Sequence, residues 1–290
     1  MAKITFIEYT VIMHQKPKIA MVGLGRWGQN LLREFEKISE VAPVPHHGPP
    51  SYENILSQPE IQAVVIATPI ATHYALAKQA LEAGKHVLVE KPLAESTEQA
   101  AELVRLAQEK KLILAVGHVF LYHPVLDKII ELTVREKITN LEFAWYKYGT
   151  FVENIHFNLL VHDLAIMLYL MGQPEHLKPV RSESDIFEGV AEFADGKKAN
   201  FYLNRVAPFK NKSVMIKTKT QTLWWQDDQL FKLGPDGYEL IYQSEITSLE
   251  RECAAFLDAI SNRPSGSITP LRNTGDLGLE VVKLLQMIKQ

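Results

Sequence analysis

The sequence predicts a mixed α/β chain. Its first half reads as a doubly wound parallel sheet shortened by one βα unit, and its second half as an α+β part around a large, mostly antiparallel open sheet. Three observations predict this. A glycine-rich turn, Gly23-Leu24-Gly25-Arg26-Trp27-Gly28, stands between an apolar strand and a helical segment. Short apolar strands then alternate with helical segments to about residue 116, the pattern of a parallel sheet covered on both faces. From Val190 to Tyr242 the chain changes to strands separated by turn residues.

Lys18-Ile19-Ala20-Met21-Val22 is the first strand, and the helix after it runs to about Ile38. G-x-G-x-x-G in this strand-to-helix setting permits a tight turn and lets a pyrophosphate approach the helix N–H groups. It predicts a Rossmann-type dinucleotide site at Gly23, Gly25, Arg26, Trp27 and Gly28. An acid for the ribose is expected about 20 residues on. The second strand has none: it reads Val41-Ala42-Pro43-Val44-Pro45-His46-His47-Gly48. Only Gly48-Pro49-Pro50 separate it from a small helix at 51–57, which leaves no room for the usual next βα unit. Without that unit the second strand lies at the sheet edge, where Pro43 and Pro45 are tolerable. His46 and His47 read as solvent-exposed loop residues in preference to a 2′-phosphate site. The expected cofactor is therefore NAD or NADP, with NAD slightly favoured. A strand at 61–67 ends in Thr68-Pro69-Ile70-Ala71-Thr72-His73, and Gly84 caps the helix over 74–83. A strand at 85–89, a helix at 96–110 and a strand at 112–116 complete the sheet, in the order 2-1-4-5-6 of doubly wound numbering.

A chain of 290 residues exceeds what one core usually fills. The expected division is an N-terminal extension at 1–16, a dinucleotide-binding domain at 17–120 and a substrate-binding and oligomerisation domain at 121–290. With 31 basic and 34 acidic residues the net charge is -3, which gives no electrostatic reason to expect nucleic acid or an anionic membrane. Cys253 is the only cysteine, so no internal disulfide forms; it fits a reducing, cytoplasmic setting, and its helical pattern predicts a packed thiol. No apolar run approaches the ~18 residues of a membrane span. Residues 1–15 carry Glu8 and no small-residue cleavage site, so they do not read as a signal peptide; they alternate like a strand, and Met13 is an alternative start. No metal is expected, because His46-His47 are adjacent and His118 and His123 lack further ligands.

Lys85-His86-Val87-Leu88-Val89-Glu90-Lys91-Pro92 carries the most chemical content. A short buried strand stops at a charged pair before a proline that cannot continue a central ladder. Lys91 is thus held at a strand's carboxyl end, where ligands bind in open α/β sheets. From these eight residues alone, a surface lysine is an equally good reading.

The glycine turn, Ala67-Thr68-Pro69 with His73, Ala83-Gly84-Lys85-His86-Val87 and Glu90-Lys91-Pro92 together resemble the Gfo/Idh/MocA family, named after glucose–fructose oxidoreductase and inositol dehydrogenase. Val116-Gly117-His118-Val119-Phe120-Leu121-Tyr122-His123-Pro124 and Asn154-Ile155-His156-Phe157-Asn158-Leu159-Leu160-Val161-His162-Asp163 resemble the segments that cross into the second domain in its sugar and polysaccharide branch. The resemblance runs from about Lys18 to the end. It implies an NAD(P)-dependent oxidoreductase acting on a sugar or nucleotide sugar. Lys91 matches the catalytic lysine, which holds the reacting hydroxyl and helps move its proton, and Lys91-Pro92 matches a peptide bond that is often cis. Thr68, Pro69, His73, Glu90, Lys91 and Pro92 join the glycine turn as implied cofactor contacts. His118 and Tyr122 are implied substrate contacts.

In the second half, 124–136 reads as a helix, 141–148 as a strand, and 158–171 as a helix apolar nearly all round and so buried. Asn158 and His162 are four apart, on one face. By themselves they read as satisfied core residues. By resemblance, His162 matches the histidine of an Asp-x-x-x-His motif that faces substrate, with Asn158 in the acid's place. Asparagine can hold a hydroxyl or orient the lysine, but it cannot accept a proton as a carboxylate can. Asp163 is expected to face elsewhere, in a structural role. Strands are expected at 190–193, 199–206, 214–219, 222–226, 230–233 and 239–242, with turns at Asp195-Gly196 and Pro235-Asp236-Gly237. An apolar outer face of this sheet would need covering, and the resemblance implies homo-dimers or tetramers through it. Lys210 and Lys212 follow Pro208 on an expected loop that resembles the family's Pro-x-Lys-x-Arg. They are implied contacts to an anionic part of the substrate, such as a diphosphate, with a solvated loop the equal alternative. Helices at 249–261 and 274–289 close the chain. The sequence therefore points to hydride transfer with Lys91 and His162 handling the proton. The alternative is a non-catalytic dinucleotide-binding regulator or sensor of the same fold, favoured by the missing acid, the shortened sheet and Asn158.

Overall fold

The computed structural model describes residues 16–45, 50–149, 153–261 and 270–288. Residues 1–15 and the His46-His47 pair lie outside this description, and with them the expected N-terminal strand.

The β-branched runs of the first half form β1 (Lys18–Val22), β2 (Glu40–Val44), β3 (Ile61–Ile66), β4 (His86–Glu90) and β5 (Leu114–Gly117). These pair in parallel in the order β2-β1-β3-β4-β5. The inferred loss of a βα unit holds, and β2 is the edge strand that tolerates Pro43. Helices α1 (Arg26–Ile38), α2 (Tyr52–Leu56), α3 (His73–Glu82) and α4 (Thr97–Lys110) connect the strands. The Ser96 hydroxyl caps α4 by accepting the Gln99 amide at 3.3 Å, and Lys111 ends it in the left-handed region at φ 55°.

Successive strand residues point to opposite faces of the sheet. Ala20, Val64, Ile66, Val87 and Val89 pack with Ala77, Leu81, Leu103 and Val104 on one side. Ile19, Met21, Val65 and Leu88 pack with Leu31 and Phe35 on the other. The last two helices, α7 (Ser248–Ile260) and α8 (Gly275–Ile288), return to this sheet. Phe256 of α7 meets Phe35 edge-on at 6.4 Å, and Cys253 is buried beside them, as its helical pattern predicts. Two glycines let α8 approach closely. A Cβ on Gly275 would lie 2.8 Å from Leu114, and one on Gly278 would lie 2.5 Å from Val116.

The second sheet comprises β6 (Asn140–Tyr148), β7 (His176–Ser182), β8 (Ile186–Glu192), β9 (Lys198–Asn204), β10 (Val206–Lys217), β11 (Thr222–Gln226), β12 (Gln229–Gly234) and β13 (Gly237–Gln243). Its order is β13-β12-β11-β10-β6-β9-β8-β7, antiparallel throughout except for the β6–β9 pair. Its inner face packs against α6 (Val161–Met171) and, through Leu121, Leu126 and Ile129, against α5 (Pro124–Thr133) and the turn before it.

Three features differ from the sequence expectation. β7 is an additional edge strand; only Leu177 of its residues is buried, so it shows no apolar alternation to detect. β10 starts at Val206, and the segment expected as a loop carrying Lys210 and Lys212 is extended strand with an irregular register between Val206 and Asn211. Before α6, residues 156–160 form a π-turn in which the Val161 amide reaches back to the His156 carbonyl.

Phe256→Ala should lower stability by about 3–5 kcal/mol, because it empties the interface between α7 and the first sheet. Urea unfolding followed by circular dichroism measures the loss, and an unchanged midpoint would show that α7 is not held there.

Candidate active site

The first turn of α1 is built to be approached closely. Gly23 has φ 91°, and a Cβ there would sit 2.5 Å from the Ala67 carbonyl oxygen; a Cβ on Gly28 would sit 1.9 Å from the Gly23 oxygen. Gly25 occupies the N-cap without a side-chain cap, a Cβ on it would meet nothing within 4 Å, and no acid lies in the first turn. The helix amides therefore face open space and favour an anion. A cavity of about 920 Å³ lies over this turn, bounded by Val44, Pro45, Ser51, Tyr52, Thr68, Pro69 and Thr72. Neither a carboxylate nor a basic side chain is among the described residues that line it. These features fit the adenosine and pyrophosphate of a dinucleotide.

His73 is buried, with Nδ1 2.8 Å from the Pro92 carbonyl oxygen and Nε2 2.8 Å from that of Thr68. Both nitrogens face carbonyl oxygens, and burial favours the neutral ring, whose single N–H donates to one of them, so His73 packs between the loop after β3 and the turn after β4. The Trp27 indole, exposed on the glycine turn, donates to Glu90 Oε1, while the Lys91 amide donates to Glu90 Oε2 at 3.3 Å. Gly117 must be small, because its Cβ would lie 2.6 Å from Glu90 Oε1. Burial pushes the Glu90 carboxyl up to about 7, with the Lys91 charge acting against it.

The Lys91-Pro92 bond is cis. Lys91 Nζ donates to the Phe157 carbonyl at 3.3 Å and lies 3.5 Å from that of Asn158. The π-turn supplies these acceptors, since the Val161 amide that an α-helix would direct to Phe157 goes to His156. Burial lowers the Lys91 pKa, and Glu90 and Glu153 oppose the shift. Asn158 Nδ2 donates to Glu153 at 3.1 Å, and its Oδ1 is buried without a partner. The His162 ring packs against Phe120 at 5.1 Å and Trp145 at 5.8 Å, with Nδ1 unpartnered. Burial and the charges of Lys91 and Lys212 hold its pKa well below the usual histidine value. His118 is sealed with both nitrogens unpartnered, and burial, reinforced by Lys91, lowers it to about 3.

Lys91, His118, Asn158 and His162 therefore converge. Tyr122 does not join them. It is fully buried, donates to Asn273 Oδ1 at 2.7 Å and accepts the Arg272 amide at 3.0 Å, so it holds the C-terminal segment instead of facing a substrate. Lys210 lies exposed on β10. Its neighbour in the motif matters more: Lys212 Nζ is sealed from solvent, 2.9 Å from the Phe120 ring centre and 4.3 Å from that of Trp145, with no hydrogen-bond partner. Burial lowers the Lys212 pKa to about 7, against the pull of Asp163 and Asp227. Asp163 is buried with both oxygens unpartnered, and burial raises it to about 7, opposed by Lys212. Lys147 on β6 also had no sequence signal beyond strand alternation. Its pKa is lowered by burial and then by the charges of Lys210, Lys91 and Arg26.

Residues 36–118 match the Gfo/Idh/MocA family, described as an oxidoreductase family with an NAD-binding Rossmann fold. UDP-N-acetylglucosamine 3-dehydrogenase from Acidithiobacillus ferrooxidans is 27% identical over 233 residues, 72% of each chain. Over residues 36–118 the chain is thus similar to the Gfo/Idh/MocA oxidoreductases. Its cofactor is a nicotinamide dinucleotide. The chain is also 38% identical across 81 residues to a dTDP-3,4-didehydro-2,6-dideoxy-α-D-glucose 3-reductase from Streptomyces violaceoruber, covering 28% of this chain and 24% of that one. The solved structure of the Acidithiobacillus enzyme superimposes with a TM-score of 0.84 at 24% identity, covering 94% of this chain and 97% of the other. A second fold neighbour is Synechocystis biliverdin reductase in complex with biliverdin and NADP+, with a TM-score of 0.79 at 19% identity and coverage of 95% and 100%. No described helix is long and apolar enough to cross a membrane.

Glu90 makes a pH prediction. Its carboxyl, raised from 4.5 to about 7, keeps its proton in the folded state while the unfolded chain ionises, so its contribution is full below pH 4.5 and is lost as pH rises to 7. Glu90→Gln should therefore gain on the wild type by roughly 3 kcal/mol between pH 4.5 and 7.5. Urea midpoints across that range test it, and a constant difference between the two proteins would refute the raised value.

Proposed function

We propose that this oxidoreductase interconverts a hydroxyl and a carbonyl on a sugar or nucleotide sugar, with NAD slightly favoured over NADP. The observation that carries the proposal is the Lys91 amine, held between the Phe157 and Asn158 carbonyls and sharing its surroundings with His162. When bound, the dinucleotide would supply or accept the hydride. Gly23, Gly25 and Gly28 would hold its pyrophosphate against α1.

Burial shifts Lys91 toward the neutral amine, which can take the proton of a substrate hydroxyl and return it in the reverse direction. His162 is kept neutral by burial and surrounding cations, so one ring nitrogen can accept a hydrogen bond from the same hydroxyl and steer it. Asn158 Oδ1 lacks a partner and can accept from a neighbouring hydroxyl, a positioning role that needs no proton transfer. The names of the UDP- and dTDP-sugar relatives support a sugar nucleotide as the substrate class.

The outer face of the second sheet supports self-association. Tyr146 lies 5.3 Å from Tyr202 and 5.0 Å from Phe209, and Phe209 and Tyr238 are exposed. A second copy would cover these rings.

Lys91→Met should lower kcat/KM by about 10²–10⁴ while NADH still binds; retained turnover would overturn the role given to Lys91. In the oxidation direction wild-type kcat/KM should rise with pH as Lys91 loses its proton, with a midpoint below the ~10.4 of a free lysine. Light scattering should find a dimer or tetramer, and a monomer at micromolar concentration would remove the self-association proposal.

A further inference from the structure

Glu153 carries no sequence signal, yet it reaches two members of the site. Its Oε2 accepts from Asn158 Nδ2 at 3.1 Å, and the Asn158 backbone carbonyl lies 3.5 Å from Lys91 Nζ. The backbone at Glu153 is pinned. Arg205, buried between β9 and β10, donates Nη1 to the Glu153 carbonyl at 2.6 Å, and Nη2 to the Ser184 carbonyl at 2.6 Å and to Asp185 at 3.2 Å. At the next residue, the Asn154 carbonyl accepts the Asn158 amide at 3.0 Å and Asn154 Oδ1 accepts the His156 amide at 2.8 Å. An exposed carboxylate is thus carried to the rim of the site on a fixed piece of chain.

A carboxylate only accepts hydrogen bonds, so Asn158 must turn its NH₂ to Glu153. Its Oδ1 is then left on the buried side, where it has no partner. The identity of residue 153 therefore decides which end of the amide faces inward. Charge is the second consequence. The groups that bear on Lys91 are Glu90 beside it, His73 at the start of α3, His118 after β5, Lys147 on β6, His162 on α6 and Glu153. Burial holds the three histidines toward the neutral form and pushes Glu90 up to about 7, while Lys147 repels the ammonium. Glu153 is exposed, so its charge bears little desolvation cost, and it acts with Glu90 against the burial that lowers Lys91.

We propose that Glu153 is a positioning residue of this site: it turns the Asn158 amide so that Oδ1 faces the buried side, and it is a countercharge for the Lys91 ammonium. A lysine driven fully neutral by burial could take a proton but would hold it too weakly to return it. A countercharge at the rim keeps the amine able to do both. That the proton moves to and from a sugar hydroxyl rests on the function proposed above; the action of Glu153 on Asn158 and Lys91 does not.

Competitive acetylation of Lys91 with acetic anhydride across pH, read by mass spectrometry, tests this without any substrate, because only the neutral amine reacts. Glu153→Gln keeps a side chain long enough to reach Asn158 but removes the charge. Its Lys91 labelling midpoint should move toward acid by about half a pH unit or more. Glu153→Asp restores the charge and should recover at least half of that difference. Equal NADH affinity in the three proteins shows that they fold. The proposal is overturned if the Glu153→Gln midpoint matches the wild type or moves toward base, or if Glu153→Asp moves as far as Glu153→Gln. In turnover of a sugar, Glu153→Gln should also raise KM, through the freed Asn158 amide, and move the kcat/KM profile toward acid. A moved labelling midpoint with no sugar turned over would leave Glu153 assigned and remove the proposed reaction. Turnover of a sugar with an unmoved midpoint would do the reverse.

Discussion

A lysine ammonium withdrawn from water must find acceptors, and those of Lys91 come from a segment more than sixty residues away in the chain. Its own strand offers none of them. The Phe157 and Asn158 carbonyls lie in the π-turn that leads into α6, so the end of the parallel sheet and the start of the buried helix must meet at one place. Much of the remaining architecture serves that meeting. His73 fastens the turn carrying Pro92 to the loop after β3. Tyr122, with Asn273 and Arg272, fastens the crossover after β5 to the C-terminal segment, which continues into α8 against the first sheet.

The electrostatics around this junction are unbalanced in a consistent direction. Lys91, Lys212 and Lys147 act on His162 and Lys91 acts on His118, both of which burial holds toward the neutral form, while Glu90 and Asp163 are pushed by burial toward their protonated forms. A cluster of cations whose nearby acids hold their protons has less internal compensation than its residue count suggests. The same burial lowers Lys91 and Lys212 toward their neutral forms, which an incoming anion would oppose by favouring the ammonium. Phe120 and Trp145 soften the cost for Lys212 through their ring faces, but a ring face supplies no hydrogen-bond acceptor of carboxylate or phosphate strength.

The sequence made the first sheet legible because its signals are local. Glycines at fixed offsets, apolar strands and caps such as Gly84 each act within a few residues, and the short span between Pro43 and Ser51 revealed the missing unit by length alone. Glu90-Lys91-Pro92 was legible as a strand end. What escaped depends on distant partners or weak patterns. Lys212 looked like part of a loop because Pro208 and an irregular register hide the strand period of β10. The engagement of Tyr122 depends on Asn273, 151 residues away. The π-turn at 156–160 leaves the spacing of Asn158 and His162 looking like ordinary helix, although it is the feature that gives Lys91 its acceptor.

Glu90 links the two halves of the chemistry within a single side chain. One oxygen receives the indole of Trp27, on the turn where a pyrophosphate would sit, and the other receives the amide of Lys91. The position could have been held by an apolar residue at no desolvation cost, since Val87, Leu88 and Val89 before it are buried and apolar. A carboxyl there accepts from both segments at once, which an apolar residue cannot do, and Gly117 on the neighbouring strand leaves it the space. The glycine turn and the backbone that carries Lys91 are thereby joined through one hydrogen-bonded group, so substitutions at Glu90 bear on both.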